Sequence, residues 1–420
     1  MASTVVVVHP VIKSLADTLL RDPQAQLEEA CGLAEAISLD VREALVVNVP
    51  AINAATLLSK GAVDRVHEAV LAHKPNVVFV NCTLSPVQQR NLEKAWFAKV
   101  IDRTGLILEI FGARAQTREG KLQVELAALS YQRGRLVRAW THLERQRATG
   151  KTGGPGEKQI ELDRRKINDK IALIKKQIDQ IRNTRELQHK ARERVPYPLV
   201  AIVGYTNAGK STLFNRLTDA DVMAKDMLFA TLDTTTRGLV LPGGRKIMLS
   251  DTVGFISDLP TQLVAAFRAT LEQVTQATLI LHVQDVSDPE HKQRRLDVLQ
   301  ILEQLGVPAG AKHIIDVYNK IDLLPKKQAS AWLKNDNRAI ALSAHTGDGC
   351  DTLLNLIRAH LNHDRTEYAI KLPVSEGKWL AWLYQHGEVE ADRVRGATRT
   401  VKVLLSEADR ARFEQLRDAS

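Results

Sequence analysis

Apolar and polar positions alternate in blocks along the first 118 residues. Four short apolar runs predict buried strands: Val5–Val8, Ala44–Val49, Val77–Val80 and Leu106–Ile110. The segments Ala54–His73 and Pro86–Ala98 place their apolar residues at the spacing of amphipathic helices. Because strands that alternate with helices build parallel sheets, we expect a small α/β domain over residues 1–118.

A different periodicity begins at residue 119. Leucines and then isoleucines recur every seven residues: Leu122, Leu129, Leu136 and Leu143, followed by Ile160, Ile167, Ile174 and Ile181. The segment between them cannot continue a helix, because it contains Gly150, Gly153, Gly154 and Gly156. This pattern predicts an antiparallel helical hairpin over residues 119–195 with a glycine-rich tip. The alternative is two ordinary amphipathic helices.

Two further blocks follow the hairpin. Strand and helix patterns alternate over residues 196–365, as expected for a doubly wound, mostly parallel sheet. Residues 366–420 predict a small α+β domain. Its expected elements are strands at Tyr368–Leu372 and Thr400–Leu404 and helices near residues 377–384 and 406–416. The expected fold class is therefore multidomain α/β.

The net charge of +9 is concentrated in the predicted hairpin. Residues 131–195 hold 18 lysines and arginines against 8 aspartates and glutamates, while the rest of the chain is close to neutral. A positive surface of this kind favours a polyanionic partner such as nucleic acid. The alternative is a solvated helical surface that binds nothing.

The composition argues against several classes of protein. Apolar residues make up 44% of the chain. No apolar run approaches the roughly 20 residues of a membrane-spanning helix, so we expect no stable membrane insertion. Val5–Val8 lacks the basic residues and cleavage site of a signal peptide. Cys31, Cys82 and Cys350 are widely spaced, as is typical of reduced structural thiols in a cytoplasmic protein.

The first chemical motif follows the apolar run Leu199–Val203. It is a phosphate-binding loop, GxxxxGKS, formed by Gly204, Tyr205, Thr206, Asn207, Ala208, Gly209, Lys210 and Ser211. Its glycines let backbone N–H groups surround anionic oxygens at a helix N-terminus. We expect Lys210 to bind the β- and γ-phosphates and Ser211 to ligate Mg²⁺. This motif predicts a nucleotide but not its base.

Further loops complete the nucleotide site in the expected order. Asp251, Thr252, Val253 and Gly254 follow a strand-like run, so Asp251 can hold Mg²⁺ through water and the Gly254 N–H can sense the γ-phosphate. A second Mg²⁺ ligand should come from the hydroxyl-rich segment 226–237. Thr231 lies 20 residues after Ser211 and is favoured, and Thr236 is its rival.

The base is predicted by Asn319, Lys320, Ile321 and Asp322. The Asp322 carboxylate can accept hydrogen bonds from guanine N1–H and the 2-amino group, a pair of donors that adenine lacks. The loop of Ser343, Ala344 and His345 can offer a backbone N–H to guanine O6. Five elements in this order predict binding of GTP and GDP with Mg²⁺, and hydrolysis of GTP that depends on Lys210 and Gly254. Phe255, which follows Gly254, cannot orient a water, so hydrolysis by the isolated protein should be slow.

Several motifs resemble the HflX family of ribosome-associated GTPases, within the Obg-related branch. They are Phe229–Leu232, Ile110–Ala115, Glu119–Leu126 and Gly153–Glu157. The resemblance implies that Phe229, Ala230, Thr231, Leu232 and Asp233 form the switch segment beside the nucleotide. Many members have proline where this chain has Thr234, a departure that leaves Thr231 in place.

The same resemblance implies a ribosomal role. HflX proteins bind the large ribosomal subunit and can split stalled or idle ribosomes, notably under heat stress. We therefore expect residues 131–195 to contact rRNA, with Gly153, Gly154 and Gly156 near the peptidyl transferase centre, and the chain to act as a monomer. The alternative is a GTP-dependent switch that recruits a protein partner without touching RNA.

Overall fold

The computed structural model describes residues 3–12, 21–146, 155–192, 197–219, 228–229, 235–257, 273–325, 338–363 and 365–418. The chain divides into two compact units. The first unit comprises residues 1–185, 225–233 and 253–270, and the second comprises residues 186–224, 234–252 and 271–420. The first unit thus includes two short segments that are distant in sequence from its main part.

The first unit begins with a parallel α/β sheet. Its elements are β1 (Thr4–Ile12), α1 (Pro23–Glu35), β2 (Asp40–Val49), α2 (Lys60–His73), β3 (Val77–Val80), α3 (Pro86–Trp96), β4 (Lys99–Asp102) and α4 (Arg103–Arg114). The strand order is β2-β1-β3-β4, and every pair is parallel. Val6, Val8 and Val78 lie in a core that also includes Leu92 and Trp96. The predicted α/β architecture is confirmed.

One predicted strand is wrong. Leu106–Ile110 lies in α4, and the fourth strand is the preceding β4. The Asp102 side chain accepts a 2.8 Å hydrogen bond from the Gly105 N–H and so caps the helix. Nearly the whole apolar run is buried, which removes the polar face by which a helix is recognised in a sequence.

The seven-residue repeats form two long helices, α5 (Arg118–Gln146) and α6 (Pro155–Arg192). Val124 and Ala127 of α5 and Ile171 and Ile174 of α6 are buried. The helices are also joined by a 2.6 Å ion pair between Lys170 and Glu125. Helix α6 begins at Pro155, so Gly156 lies in its first turn rather than in the tip. Gly150, Gly153 and Gly154 lie outside the described residues.

The middle of α5 is attached to the sheet domain through Asp102. The Tyr131 hydroxyl donates a 2.7 Å hydrogen bond to Asp102 Oδ1, and the Arg135 guanidinium lies 3.5 Å from Asp102 Oδ2. Burial, followed by the Asp102 charge, raises the pKa of Tyr131, so the phenol keeps the proton that it donates. One buried carboxylate therefore both caps α4 and holds α5.

The second unit contains a six-stranded sheet. Its elements are β5 (Leu199–Gly204), α7 (Lys210–Thr218), β6 (Thr235–Val240), β7 (Lys246–Asp251), β8 (Leu279–Asp285), α8 (His291–Gln304), β9 (Ile314–Asn319), a 3₁₀ turn (Ile321–Leu323), β10 (Ala339–Ala341) and α9 (Cys350–Leu361). The strand order is β10-β9-β8-β5-β7-β6, and only the β6–β7 pair is antiparallel. The prediction of a mostly parallel sheet is confirmed. The order of strands reverses around β5, which places a ligand crevice at the carboxyl ends of the central strands.

The second unit ends in a three-stranded antiparallel sheet of order β11-β13-β12. Its elements are β11 (Arg365–Pro373), α10 (Gly377–His386), β12 (Glu388–Arg395), β13 (Thr398–Ser406) and α11 (Glu407–Asp418). Leu372, Leu383, Val403 and Phe413 form its core. The predicted α+β character is confirmed, but the sequence did not predict β12, which is polar at most positions.

Candidate nucleotide-binding site

The phosphate-binding loop joins β5 to α7, and two of its glycines are required by close contacts. A Cβ on Gly204 would lie 2.2 Å from the Val283 carbonyl oxygen of the neighbouring strand. Gly209 has a φ of +90°, and a Cβ there would lie 2.2 Å from the Asn319 side-chain nitrogen. The loop therefore packs directly against the ends of β8 and β9, which only glycine permits.

Lys210 is the cation of the loop and is almost fully buried. Its Nζ donates a 2.7 Å hydrogen bond to the Tyr205 carbonyl. Burial lowers the pKa of Lys210 to about 8; the Asp251 charge opposes this change, and the Lys320 charge adds to it. An anionic ligand would raise the pKa of a lysine held in this way, because phosphate oxygens would stabilise its charged form.

Ser211 and Asp251 lie together at the start of α7. The Ser211 hydroxyl donates a 2.7 Å hydrogen bond to Asp251 Oδ2, and Asp251 is fully buried at the end of β7. The next residue is also fixed, since Thr252 Oγ1 donates to the Ile202 carbonyl at 2.7 Å. A hydroxyl and a carboxylate are hard oxygen ligands of the kind that Mg²⁺ prefers, so these residues fit a magnesium site.

Asn319 links the phosphate loop to the last predicted loop. Its side-chain nitrogen donates a 2.9 Å hydrogen bond to the Ala208 carbonyl, and its side-chain oxygen accepts one of 2.9 Å from the Ala344 N–H. Asn319 is 2% exposed. The residues predicted to bind phosphate and base are thus held together by a single buried amide.

The base-recognition segment follows directly. Lys320 has a φ of 66°, and its Nζ lies 2.7 Å from Asp285 Oδ2, which fixes the stem that is expected to cover the ring. Asp322 lies in the 3₁₀ turn and is exposed. In the last loop, Ser343 and Ala344 are buried and His345 is exposed.

Parts of both predicted switch segments belong to the first unit, a feature that the sequence did not predict. Phe229 is buried and packs edge-on against Phe111 of α4, with ring centroids 4.8 Å apart. Phe255 and Ile256 are buried as well. Ala230, Thr231, Leu232 and Asp233 lie outside the described residues. The rival threonine, Thr236, lies in β6.

Arg103 holds the segment that follows Gly254. Its guanidinium donates to Asn81 Oδ1 at 2.6 Å, to Glu29 Oε1 at 2.7 Å and to the Ser257 carbonyl at 2.9 Å. The side chains of Arg103 and Glu29 are only 7% and 10% exposed. No local sequence signal could have identified this cluster, because its members are up to 228 residues apart.

The strand order, the glycine loop and the convergence of Lys210, Ser211, Asp251 and Asn319 define a P-loop GTPase. Four family models match consecutive parts of the chain. They are a GTP-binding GTPase N-terminal region (residues 24–112), a GTP-binding GTPase middle region (114–192), a 50S ribosome-binding GTPase (199–320) and an HflX C-terminal domain (329–416).

The chain belongs to the HflX GTPase family and hydrolyses GTP. A GTPase HflX from Magnetococcus marinus is 46% identical over 405 residues, which cover 96% of this chain and 93% of that protein. The GTPase HflX of Escherichia coli (strain K12) is 40% identical over 368 residues, covering 87% and 86%. The resemblance seen in the sequence motifs is confirmed.

A solved structure also aligns with the chain. It is a GTP-binding protein from the archaeon Sulfolobus solfataricus in complex with GDP, 23% identical, covering 85% of this chain and 99% of its own, with a TM-score of 0.43. Among the residues that the structure describes, no helix combines the length and apolar character that crossing a membrane would require.

Proposed function

We propose that this GTPase binds the large ribosomal subunit in its GTP form and separates the subunits of stalled or idle ribosomes. It would act in the cytoplasm under stress, as a monomer, and leave after hydrolysing GTP to GDP. The family model that matches residues 199–320 is described as a 50S ribosome-binding GTPase, which supports this direction. The domains would be residues 1–118, 119–195, 196–365 and 366–420.

The nucleotide would be held as the motifs predict. Residues 204–211 would surround the phosphates, Asp322 would read guanine, and Ser343–His345 would close over the base edge. Ser211 and Thr231 would ligate Mg²⁺, which supplies charge neutralisation between the β- and γ-phosphates. The observed Ser211–Asp251 contact supports this arrangement, because it places two hard oxygen groups beside the phosphate loop.

The observation that carries the ribosomal proposal is the cationic hairpin. Helices α5 and α6 contain 29 and 38 residues, so at about 1.5 Å per residue they extend roughly 44 and 57 Å. Segment 131–195 has ten more basic than acidic residues. A long, stiff and positively charged hairpin fits an RNA-lined channel, because phosphates attract its sides along their length.

Co-sedimentation with large subunits tests this binding. Arg164, Arg165 and Lys166 lie on α6, and replacing all three with glutamine should lower the salt dependence of binding by up to about three units of logarithmic slope. A matched control replaces Lys371, Arg393 and Arg395, exposed residues of the terminal sheet, with glutamine. Equal salt dependence in both variants would indicate that the hairpin does not contact RNA and would favour a switch that recruits a protein.

A splitting assay tests the tip. Replacing Gly153 and Gly154 with leucine should impair subunit separation, because bulky side chains prevent close backbone approach. GTP affinity should not change, since the tip is not part of the nucleotide site. If the variant splits ribosomes as well as the native protein does, the hairpin has only a structural role.

A further inference from the structure

The second unit contains a cavity far from the nucleotide loops. It has a volume of about 430 Å³ and lies where the β6–β7 turn meets the three-stranded sheet domain. Arg245 and Lys246 line it from the turn and the start of β7, and Arg365 lines it from the start of β11. The volume falls within the range of small-ligand pockets.

This cavity is separate from the GTP site. Lys246 is the first residue of β7, whereas Asp251 of the nucleotide site is the last. A six-residue strand spans roughly 17–20 Å, so the two sites lie at opposite ends of the sheet. A ligand in one would not touch a ligand in the other.

The cavity has an excess of positive charge. Arg245, Lys246 and Arg365 line it together with a single carboxylate, that of Asp409. Burial and, to a smaller extent, the nearby charge of Arg365 lower the pKa of Arg245 to about 10, although the charges of Glu388 and Asp409 oppose this change. Burial also lowers the pKa of Arg365. The two guanidinium groups repel each other, and the Asp409 carboxylate offsets only part of the positive charge that lines the cavity.

The carboxylates of this region have other partners. Glu388 accepts from Arg358 Nε at 2.5 Å and from the Asn362 side-chain nitrogen at 2.7 Å. Asp409 accepts from the Ser406 hydroxyl at 2.7 Å. The negative charges of Glu388 and Asp409 nevertheless act on Arg245 and Arg365 and partly offset the effect of burial on their pKa values. Because both carboxylates are also hydrogen-bonded to other groups, three cations and one carboxylate leave the cavity lining with a positive charge that an anionic ligand can balance.

The donors of the two arginines are only partly used. Arg245 donates through Nη1 to the Leu361 carbonyl at 2.8 Å and to Asn362 Oδ1 at 2.5 Å. Arg365 donates through Nη1 to the Leu404 carbonyl at 3.4 Å. These hydrogen bonds all use the Nη1 nitrogen of the guanidinium group. Planar forks of this kind bind phosphate oxygens in pairs.

Aromatic side chains line the same cavity. Tyr197 and Tyr384 are 43% and 56% exposed, and an aromatic ring at the edge of a cavity can stack on a planar ligand. His386 lies beside them, with its ring stacked on Trp382 at 4.1 Å and Nδ1 3.0 Å from the Trp382 carbonyl. A phosphate group and an adjacent base would match these two kinds of surface.

We infer that the cavity lined by Arg245, Arg365 and Tyr384 is a second site for a nucleoside phosphate, distinct from the GTP site. The phosphate lies between the two guanidinium groups, and the base stacks on tyrosine. The same chemistry is offered by a free nucleotide and by a nucleotide within single-stranded RNA. This site goes beyond the proposed ribosomal function and does not depend on it.

Calorimetric titration of the full chain tests the inference. The GTP site is first saturated with a non-hydrolysable GTP analogue, and AMP, pyrophosphate and a ten-nucleotide adenosine RNA are then added separately. We expect AMP to bind. Arg365→Gln and Arg245→Gln should each weaken AMP binding at least tenfold, whereas Arg393→Gln, on an exposed part of the same domain, should change it less than twofold.

Two further variants distinguish a loss of ligand binding from a loss of fold. Arg365→Lys keeps the charge and should retain more affinity than Arg365→Gln. Tyr384→Ala changes an exposed residue and should weaken AMP binding several-fold while leaving pyrophosphate binding unchanged. If the RNA binds and AMP does not, and if the same variants weaken RNA binding, the result would support the site and identify single-stranded RNA as its ligand. Failure of all three probes to bind at millimolar concentration, or equal affinity in Arg365→Gln and the native protein, would overturn the inference.

Discussion

Replacing Arg103 with methionine would measure how firmly the segment after Gly254 is held. Methionine keeps most of the side-chain volume and removes the guanidinium. The Arg103 Nη2 group donates to the Ser257 carbonyl at 2.9 Å and lies 3.2 Å from the Ser257 hydroxyl. Hydrogen bonds from a charged group contribute about 1.5–3 kcal/mol, so local opening of residues 253–257 should become easier by about 2–3 kcal/mol.

Amide hydrogen exchange is the appropriate assay, because it reports the free energy of local opening. A change of 2–3 kcal/mol corresponds to roughly 30- to 150-fold faster exchange in residues 253–257. Arg133→Met is the matched control, since Arg133 is an exposed arginine of α5. Unchanged exchange in Arg103→Met would mean that Ser257 is held by other contacts and would refute this reasoning.

A second variant separates the contact with Ser257 from the ion pair with Glu29. Removing one partner of a buried ion pair destabilises by about 3–5 kcal/mol, because the other charge stays buried. Adding Glu29→Gln to Arg103→Met removes that charge, so the double variant should be more stable to urea than Arg103→Met alone. It should nevertheless keep the fast exchange at residues 253–257. A double variant less stable than the single one would contradict the ion-pair explanation.

Three further predictions concern the nucleotide site. Asp322→Asn should weaken GTP binding by about 2–4 kcal/mol and favour xanthine nucleotides. Unchanged GTP affinity would show that Asp322 does not recognise guanine. Lys210 has a pKa of about 8, and phosphates should raise it. Above pH 8, nucleotide binding should therefore take up a proton, and the affinity should fall by up to about tenfold per pH unit. Calorimetry in buffers of different ionisation enthalpy measures this proton uptake, and finding none would contradict the prediction. Asn319→Ala leaves the Ala208 carbonyl and the Ala344 N–H without their partner, so the free energy of unfolding should fall by about 2–5 kcal/mol in urea titrations. A fall below 1 kcal/mol would show that water replaces the amide.

Hydrolysis by the isolated protein should be slow, because Phe255 is buried and carries no group that could orient a water. Multiple-turnover assays with and without ribosomes measure this directly. Equal rates in both conditions would show that another side chain of the chain itself performs that task.

The nucleotide loops could be predicted because their chemistry is local. Gly204 through Ser211 are contiguous, and the apolar run before them and the helical pattern after them identify their context. The strand ends that carry Asp251 and Asn319 follow the same logic. The order of the motifs along the chain was sufficient to predict that they meet in one site, because parallel strands bring their carboxyl ends to the same edge of the sheet.

Other features depended on contacts that no local pattern reports. Leu106–Ile110 has the composition of a strand, but it lies in the helix that begins at Arg103 and is capped by the hydrogen bond that the Gly105 N–H donates to the Asp102 side chain. Arg103 looks like an ordinary charged residue until Glu29 and Ser257 are placed beside it. The shared cavity of Arg245 and Arg365 has no local signal either, because the two residues are 120 positions apart in the sequence.

Asp102 and Arg103 are neighbours in the chain, and each holds a different element. The Asp102 carboxylate binds Tyr131 of α5, and the Arg103 guanidinium binds the Ser257 carbonyl. A force applied along the hairpin would therefore reach the segment behind Gly254 through one peptide unit and two hydrogen bonds. Strain that displaced Tyr131 in the middle of α5 would then change the restraint on residues 253–257.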